Sequence, residues 1–164
     1  MLVLNDLGRV AFIGLGATAL MDLWQFGLSR LGQPVSNFSL VGRWVGHMRH
    51  GRFVHEAIAK SDPIPGESAY GWLIHYGVGL AFAALLCLAV RPGWLDQPTL
   101  APALLFGVFT VAAPFLLMQP AMGSGIAAAR TAAPAKNRLR SLINHTVFGA
   151  GLYLSAELAR RLAS

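Results

Sequence analysis

"SLINHTVFGAGLYLSAEL", residues 141–158, is apolar enough to lie in lipid, yet its fifth residue is His145. A spanning helix needs about 20 mainly apolar residues, and three further stretches meet that requirement: 10–31, 70–90 and 100–118. Together they predict an all-α membrane protein, one domain over 1–164, with four transmembrane helices and an interfacial amphipathic helix between the first and second. Composition agrees, with 55% hydrophobic residues, 12% charged ones and a mean hydropathy of +0.54, whereas soluble domains are about 25% charged. The first stretch is too long for a signal-peptide core and no small-residue cleavage site follows it, so it is expected to remain as a span. Cys87 is the single cysteine, which excludes an intramolecular disulfide or a thiolate metal cluster.

Four spans put the N-terminus, the 91–99 connection and the C-terminus on one side of the bilayer. That side carries Arg9, Arg91, Arg160 and Arg161; the other carries Arg30, Arg43, Arg49, Arg52, Lys60, Arg130, Lys136, Arg138 and Arg140. The excess of basic residues on the second side predicts that it is cytoplasmic and that both termini are periplasmic. Nucleic acid is not the expected partner of the +6 net charge, because these residues flank spans, where anionic lipid and the insertion machinery account for them.

The long connection, about 39–60, contains "SLVGRWVGHMRHGRFVHEAIAKS". Val41, Trp44, Val45 and Met48 recur there at helical spacing with Arg43, Arg49 and Arg52 between them, as in a helix lying among lipid headgroups. Gly42, Gly46 and Gly51 each weaken that helix by about 1 kcal/mol relative to alanine. "DPIPGES", residues 62–68, ends it and leads into the second span.

Polar groups inside a span are costly, so their depth carries information. At 1.5 Å per residue, Asp22 falls about 3 Å past the middle of its span, while His75 and His145 each lie roughly 8 Å off centre. All three are displaced towards the side of the 32–69 connection, where Gln119 closes the third span and Glu67 precedes the second. One shared polar pocket is therefore expected, with His47, His50 and His55 above it as a lid. Each polar residue alone reads as an inter-helix hydrogen bond; their common depth favours a site. His75 and His145 each precede a glycine by four positions, Gly79 and Gly149, so a neighbouring helix can approach the backbone beside each imidazole.

Other signals are weaker. "HEAIA" at 55–59 opens like a helical zinc-protease motif, but position 59 is alanine. Five histidines are too few for the histidine-rich membrane di-iron oxygenases. A zinc-like divalent metal is feasible, with His75, His145 and Asp22 as ligands and His47 or His55 as a fourth; haem between His75 and His145 is the lesser alternative. "QPAMGSGIAAARTAAPAKNRLRS" joins a glycine-rich turn to basic residues, a combination able to hold phosphate, although an ordinary basic loop is the simpler reading.

The ordered segments "GATALMDLW" (16–24), "GRWVGH" (42–47), "PGESAYGWLIHYGVG" (65–79), "MQPAMGSGIAAARTAAP" (118–134) and "RLRSLINHTVFGAGLYL" (138–154) resemble those of a family of small four-span bacterial inner-membrane proteins, domain of unknown function 2938. The resemblance implies a four-helix fold in the bacterial inner membrane and supplies no activity.

The expected function is a membrane enzyme or binding protein acting on a lipid-soluble or amphipathic ligand at the cytoplasmic interface. His75, His145, Asp22 and Glu67 are the candidate catalytic residues, and Gln119, Trp44, Arg43 and Arg130 the candidate ligand contacts. His75, His145, His47, His55 and Asp22 are the candidate metal ligands. The alternatives are a proton-coupled transporter, which with four helices would need an oligomer, and a non-catalytic accessory subunit of a larger membrane complex.

Overall fold

The computed structural model describes residues 4–90 and 93–163; Arg91, counted above among the basic residues on the side of the termini, lies outside them. The described residues are all-helical. In chain order they form α1 (Leu4–Arg30), α2 (Phe38–Met48), a 3-10 turn (Ile58–Lys60), α3 (Glu67–Ala89) and α4 (Leu100–Phe109). A π-turn (Pro114–Met118), α5 (Gln119–Ala121), a second 3-10 turn (Ile126–Ala128) and α6 (Pro134–Leu162) follow. Three helical segments, Asp6–Arg30, Glu67–Ala89 and Leu100–Ala121, are long and apolar enough to cross a membrane. The run 141–158 lies inside α6, whose first turns add Lys136, Arg138 and Arg140 to it.

Local chemistry sets where the helices stop. At the end of α1, Gly32 takes a left-handed φ of +69°. The Gly32 N–H then bonds the Ser29 carbonyl at 3.0 Å and the Gln33 N–H the Leu28 carbonyl at 3.0 Å, the paired bonds by which a glycine closes a helix C-terminus. Asn37 caps α2, accepting from the Ser39 N–H at 3.1 Å and satisfying one of the orphan donors of the first turn. Gly51, at φ +73°, ends the helical part of the 39–60 segment as Gly32 ends α1: Gly51 N–H bonds Met48 O at 2.9 Å and Arg52 N–H bonds His47 O at 3.2 Å. The chain reverses there, and the Trp44 indole N–H meets the returning Phe53 carbonyl at 2.8 Å. The third expected span, 100–118, is interrupted near Pro114, which has no N–H to continue an α-helical ladder; the Gln119 N–H instead reaches the Pro114 carbonyl five residues back.

The chain divides into two compact units. The first comprises Met1–Val35, Tyr76–Thr110 and Ile143–Ser164, the second Ser36–His75 and Val111–Leu142. In the first, Ile13, Ala17, Ala83, Leu86, Ala103, Phe148 and Leu152 form the buried core. Its helices meet through small residues. A Cβ on Gly149 would lie 2.8 Å from the Ala103 carbonyl oxygen and 3.0 Å from the Leu104 Cα, and one on Gly151 would lie 2.9 Å from the Ala17 Cα, so α6 touches α4 and α1 backbone to backbone, the packing mode of small residues in membrane bundles. Gly79 faces Thr18 and Gly14 of α1 in the same way. The glycines one turn beyond His75 and His145 thus admit neighbouring helices, as their spacing predicts.

In the second unit, α2 lies against the start of α3. A Cβ on Gly42 would fall 2.7 Å from the Gly71 N, so the glycines that weaken α2 as an isolated helix are what let it reach α3. The segment after Gly51 is fastened to the 119–123 turn by two backbone bonds, His55 N–H to Ala121 O at 2.8 Å and Ile58 N–H to Met122 O at 3.1 Å.

Candidate functional site

In the second unit the reversal at Gly51 returns His55 to His47, and the two imidazoles meet, both side chains buried, with His47 Nδ1 and His55 Nε2 2.8 Å apart. His47 Nε2 lies 3.0 Å from the Asp62 carbonyl oxygen. A carbonyl only accepts, so that nitrogen carries a hydrogen. In the neutral ring Nδ1 is then the acceptor, and the hydrogen between the rings belongs to His55 Nε2. The chain of donors therefore runs from His55 through His47 to Asp62, and it leaves His55 Nδ1 as a bare lone pair. That nitrogen is buried, with no hydrogen-bond partner among the described residues. Burial pushes the His55 imidazolium below its ordinary range, and the charges of Arg52 and His47 push the same way, while the Ala121 carbonyl beside the ring opposes them.

The turn that carries the Asp62 carbonyl is held by an ion pair. Arg43 Nε donates to Glu67 Oε2 and Nη2 to Glu67 Oε1, both at 2.8 Å, while Nη1 donates to the Ser61 carbonyl at 2.9 Å. Glu67 Oε2 also accepts from the Ile64 N–H at 3.1 Å. This forked arrangement, the strongest common form of charged hydrogen bond, clamps the 61–67 turn to α2. Arg43 and Glu67, expected to touch ligand and to do chemistry, are thus bonded to each other and build the wall behind His47.

Gln119, the last residue expected of the third span, sits where the π-turn gives way to α5. Its main-chain carbonyl accepts from the Ser124 N–H at 2.8 Å. Its side-chain Oε1 is buried, and no donor reaches it among the described residues. The second unit therefore holds two buried, unmatched acceptors, His55 Nδ1 and Gln119 Oε1, on the two segments that the His55–Ala121 backbone bond ties together. Arg130 is exposed, its N–H bonded to the Ser124 carbonyl at 2.9 Å, and Trp44 is occupied by Phe53.

The remaining candidates have other surroundings. His75, also in the second unit, stacks on Phe38 with ring centroids 3.9 Å apart and meets Trp72 edge-on at 5.7 Å. Asp22 and His145 belong to the first unit. Asp22 accepts from the Tyr76 hydroxyl at 2.9 Å. The Thr110 hydroxyl gives its hydrogen to the Gly107 carbonyl and so accepts from His145 Nδ1 at 2.8 Å; a few residues away Trp24 Nε1 donates to Asn144 Oδ1 at 3.1 Å. Among the described residues, no group of three or more His, Cys, Asp or Glu side chains is placed to hold a metal ion. Thr110, Tyr76, Asn144 and the Asp62 carbonyl carry no signal in sequence that names them; each is recognised only by what it touches.

Helices of membrane-spanning length, a small-residue core in the first unit and a buried histidine pair in the second define a small all-helical protein with a polar histidine site. The chain belongs to the family described as protein of unknown function DUF2938, whose profile matches residues 11–159. No curated protein and no solved structure matches it.

Proposed function

We propose that the chain is a four-span protein of the bacterial inner membrane, with residues 141–158 of α6 as the fourth crossing, that binds an amphipathic or lipid-soluble molecule near the cytoplasmic interface and acts on it through acid–base chemistry. His55 Nδ1 is the proton-accepting atom. The observation that carries this reading is the directed chain from His55 through His47 to the Asp62 carbonyl, which ends in a buried basic nitrogen without a donor. When that nitrogen takes a proton, the hydrogen between the rings can pass to His47, and the cation is spread over two imidazoles with the Asp62 carbonyl at its far end. His47 is then a positioning residue that fixes the His55 tautomer. The orientation is supported by the nine basic residues on the side of the 32–69 and 119–140 connections against four on the other.

A bare imidazole nitrogen is also a donor that zinc accepts, and a divalent metal at His55 is the second reading. One experiment separates them. The protein is purified in mild detergent, its co-purifying lipid-soluble compounds are identified by mass spectrometry, its metal content is measured, and the His55→Ala and His47→Ala variants are treated alike. Acid–base binding predicts a compound present in the parent and lost from His55→Ala without stoichiometric metal in either. Zinc in the parent that both variants lose would move the site to the metal reading. An unchanged compound profile in a folded His55→Ala protein would refute both.

A further inference from the structure

The two unmatched acceptors narrow the class of molecule, an inference that rests on the acid–base reading above. We propose that the site takes a neutral, hydroxyl-bearing head group on an apolar tail, with O–H hydrogens directed at His55 Nδ1 and Gln119 Oε1. Both atoms are buried, neither meets a donor among the described residues, and a buried acceptor left without a donor costs free energy until something supplies one. The charge around them decides between donors. An anion would set negative charge against two acceptor lone pairs, and Arg43 has Nε, Nη1 and Nη2 engaged by Glu67 and Ser61, which leaves Arg52 as the one charge near His55 that favours it, the case the decanoate probe tests. A cation would meet Arg52, whose charge is already felt at the His55 ring. A carbonyl or ether group brings no hydrogen. Among neutral donors we favour the hydroxyl over an amide N–H, because a hydroxyl, a phenolic one above all, is also the group whose proton His55 Nδ1 can accept. The apolar tail finds exposed Phe53, Val54 and Ile126 in the same unit.

The test uses the full chain in mild detergent and four probes with one decyl tail: a decyl-hydroquinone kept reduced, its dimethyl ether, decanol and decanoate. Affinity is read by thermophoresis and confirmed by thermal shift. The hydroquinone should bind about tenfold or more tightly than its dimethyl ether, because sites built to hydrogen-bond a hydroxyl reject analogues lacking it. Gln119→Met, which removes the acceptor but keeps the bulk, should erase most of that preference while leaving the ether unchanged. Decanol binding as well as the hydroquinone identifies a lipid alcohol as the class member; hydroquinone binding alone identifies a phenolic diol. Equal binding of hydroquinone and ether, tighter binding of decanoate, or no binding by either hydroxyl probe overturns the proposal. If the head group makes no difference but His55→Ala still abolishes binding, the acid–base site survives and only the head-group class fails. If His55→Ala alters nothing, both fail.

Discussion

Arg43→Ala is the most informative single perturbation of the second unit, because sequence makes Arg43 a ligand contact and the structure makes it a clamp. The change deletes three short hydrogen bonds from a charged donor, two to Glu67 at 2.8 Å and one to the Ser61 carbonyl at 2.9 Å, together with two long ones to the Ile58 and Ala59 carbonyls at 3.4 Å. Hydrogen bonds to charged groups are worth about 1.5–3 kcal/mol net, and breaking a fully buried pair costs about 3–5 kcal/mol. Here the side chains retain 12% and 18% of their exposure, so water screens part of the loss and about 2 kcal/mol is expected. At roughly 2–4 °C per kcal/mol for a chain of this size, the melting temperature should fall by about 4–8 °C. Detergent-solubilised parent and variant are compared by thermal denaturation with a light-scattering control for aggregation. Glu67→Ala should give a similar loss, and the double variant should be less damaged than the sum, since the two residues act as one unit. An Arg43→Ala protein that melts with the parent but loses its ligand would refute the clamp and restore Arg43 to the binding surface.

Because His55 is held below its ordinary value of 6.5, the unfolded chain binds more protons in the window beneath 6.5; stability is complete above that value and should decline as pH falls through the folded-state value, with His55→Gln flattening a plot of melting temperature against pH. Gly149→Ala would place a methyl 2.8 Å from the Ala103 carbonyl oxygen, a neighbour that cannot yield, so it should destabilise by about 1–3 kcal/mol, read as a lower melting temperature in detergent. His145→Ala removes the bond to Thr110 and the packing of a half-buried ring and should cost about 1–3 kcal/mol while leaving the compound bound near His55 in place; loss of that compound by mass spectrometry from a folded variant would contradict the assignment of the site to His55. A reporter fused after Ser164 should behave as periplasmic, and cytoplasmic activity there would reverse the proposed orientation.

Hydropathy made the helices legible, since a stretch such as 70–90 has few other ways to satisfy its backbone in lipid. The glycines four residues after His75 and His145 were legible too, because a spacing of four is a property of one helix face. What escaped are the contacts that depend on chain reversal. His47 and His55 are eight apart, a separation with no meaning on a straight helix once Gly51 has ended it. Pairing them requires knowing that Gly51 is left-handed and that the returning segment is bonded at Ala121. Arg43 and Glu67 have opposite charges, yet nothing in their 24-residue separation selects that partnership from the other acid–base combinations. Depth is one coordinate of three, so it could not name Tyr76 as the partner of Asp22 or Thr110 as the partner of His145.

The π-turn before Gln119 makes the direction of that side chain a matter of counting. A turn closed five residues back holds one residue more than an α-helical turn would, and each residue advances a helix by about 100°. Removing one apolar residue from 114–118 would leave hydropathy, length and charge almost unchanged, yet would wind the turn back to α-helical register and swing the Gln119 amide about a quarter of the way round the axis. Relatives that align without a gap through Pro114 should therefore keep an amide or hydroxyl at this position. Those with a single deletion there should carry their polar residue one place away.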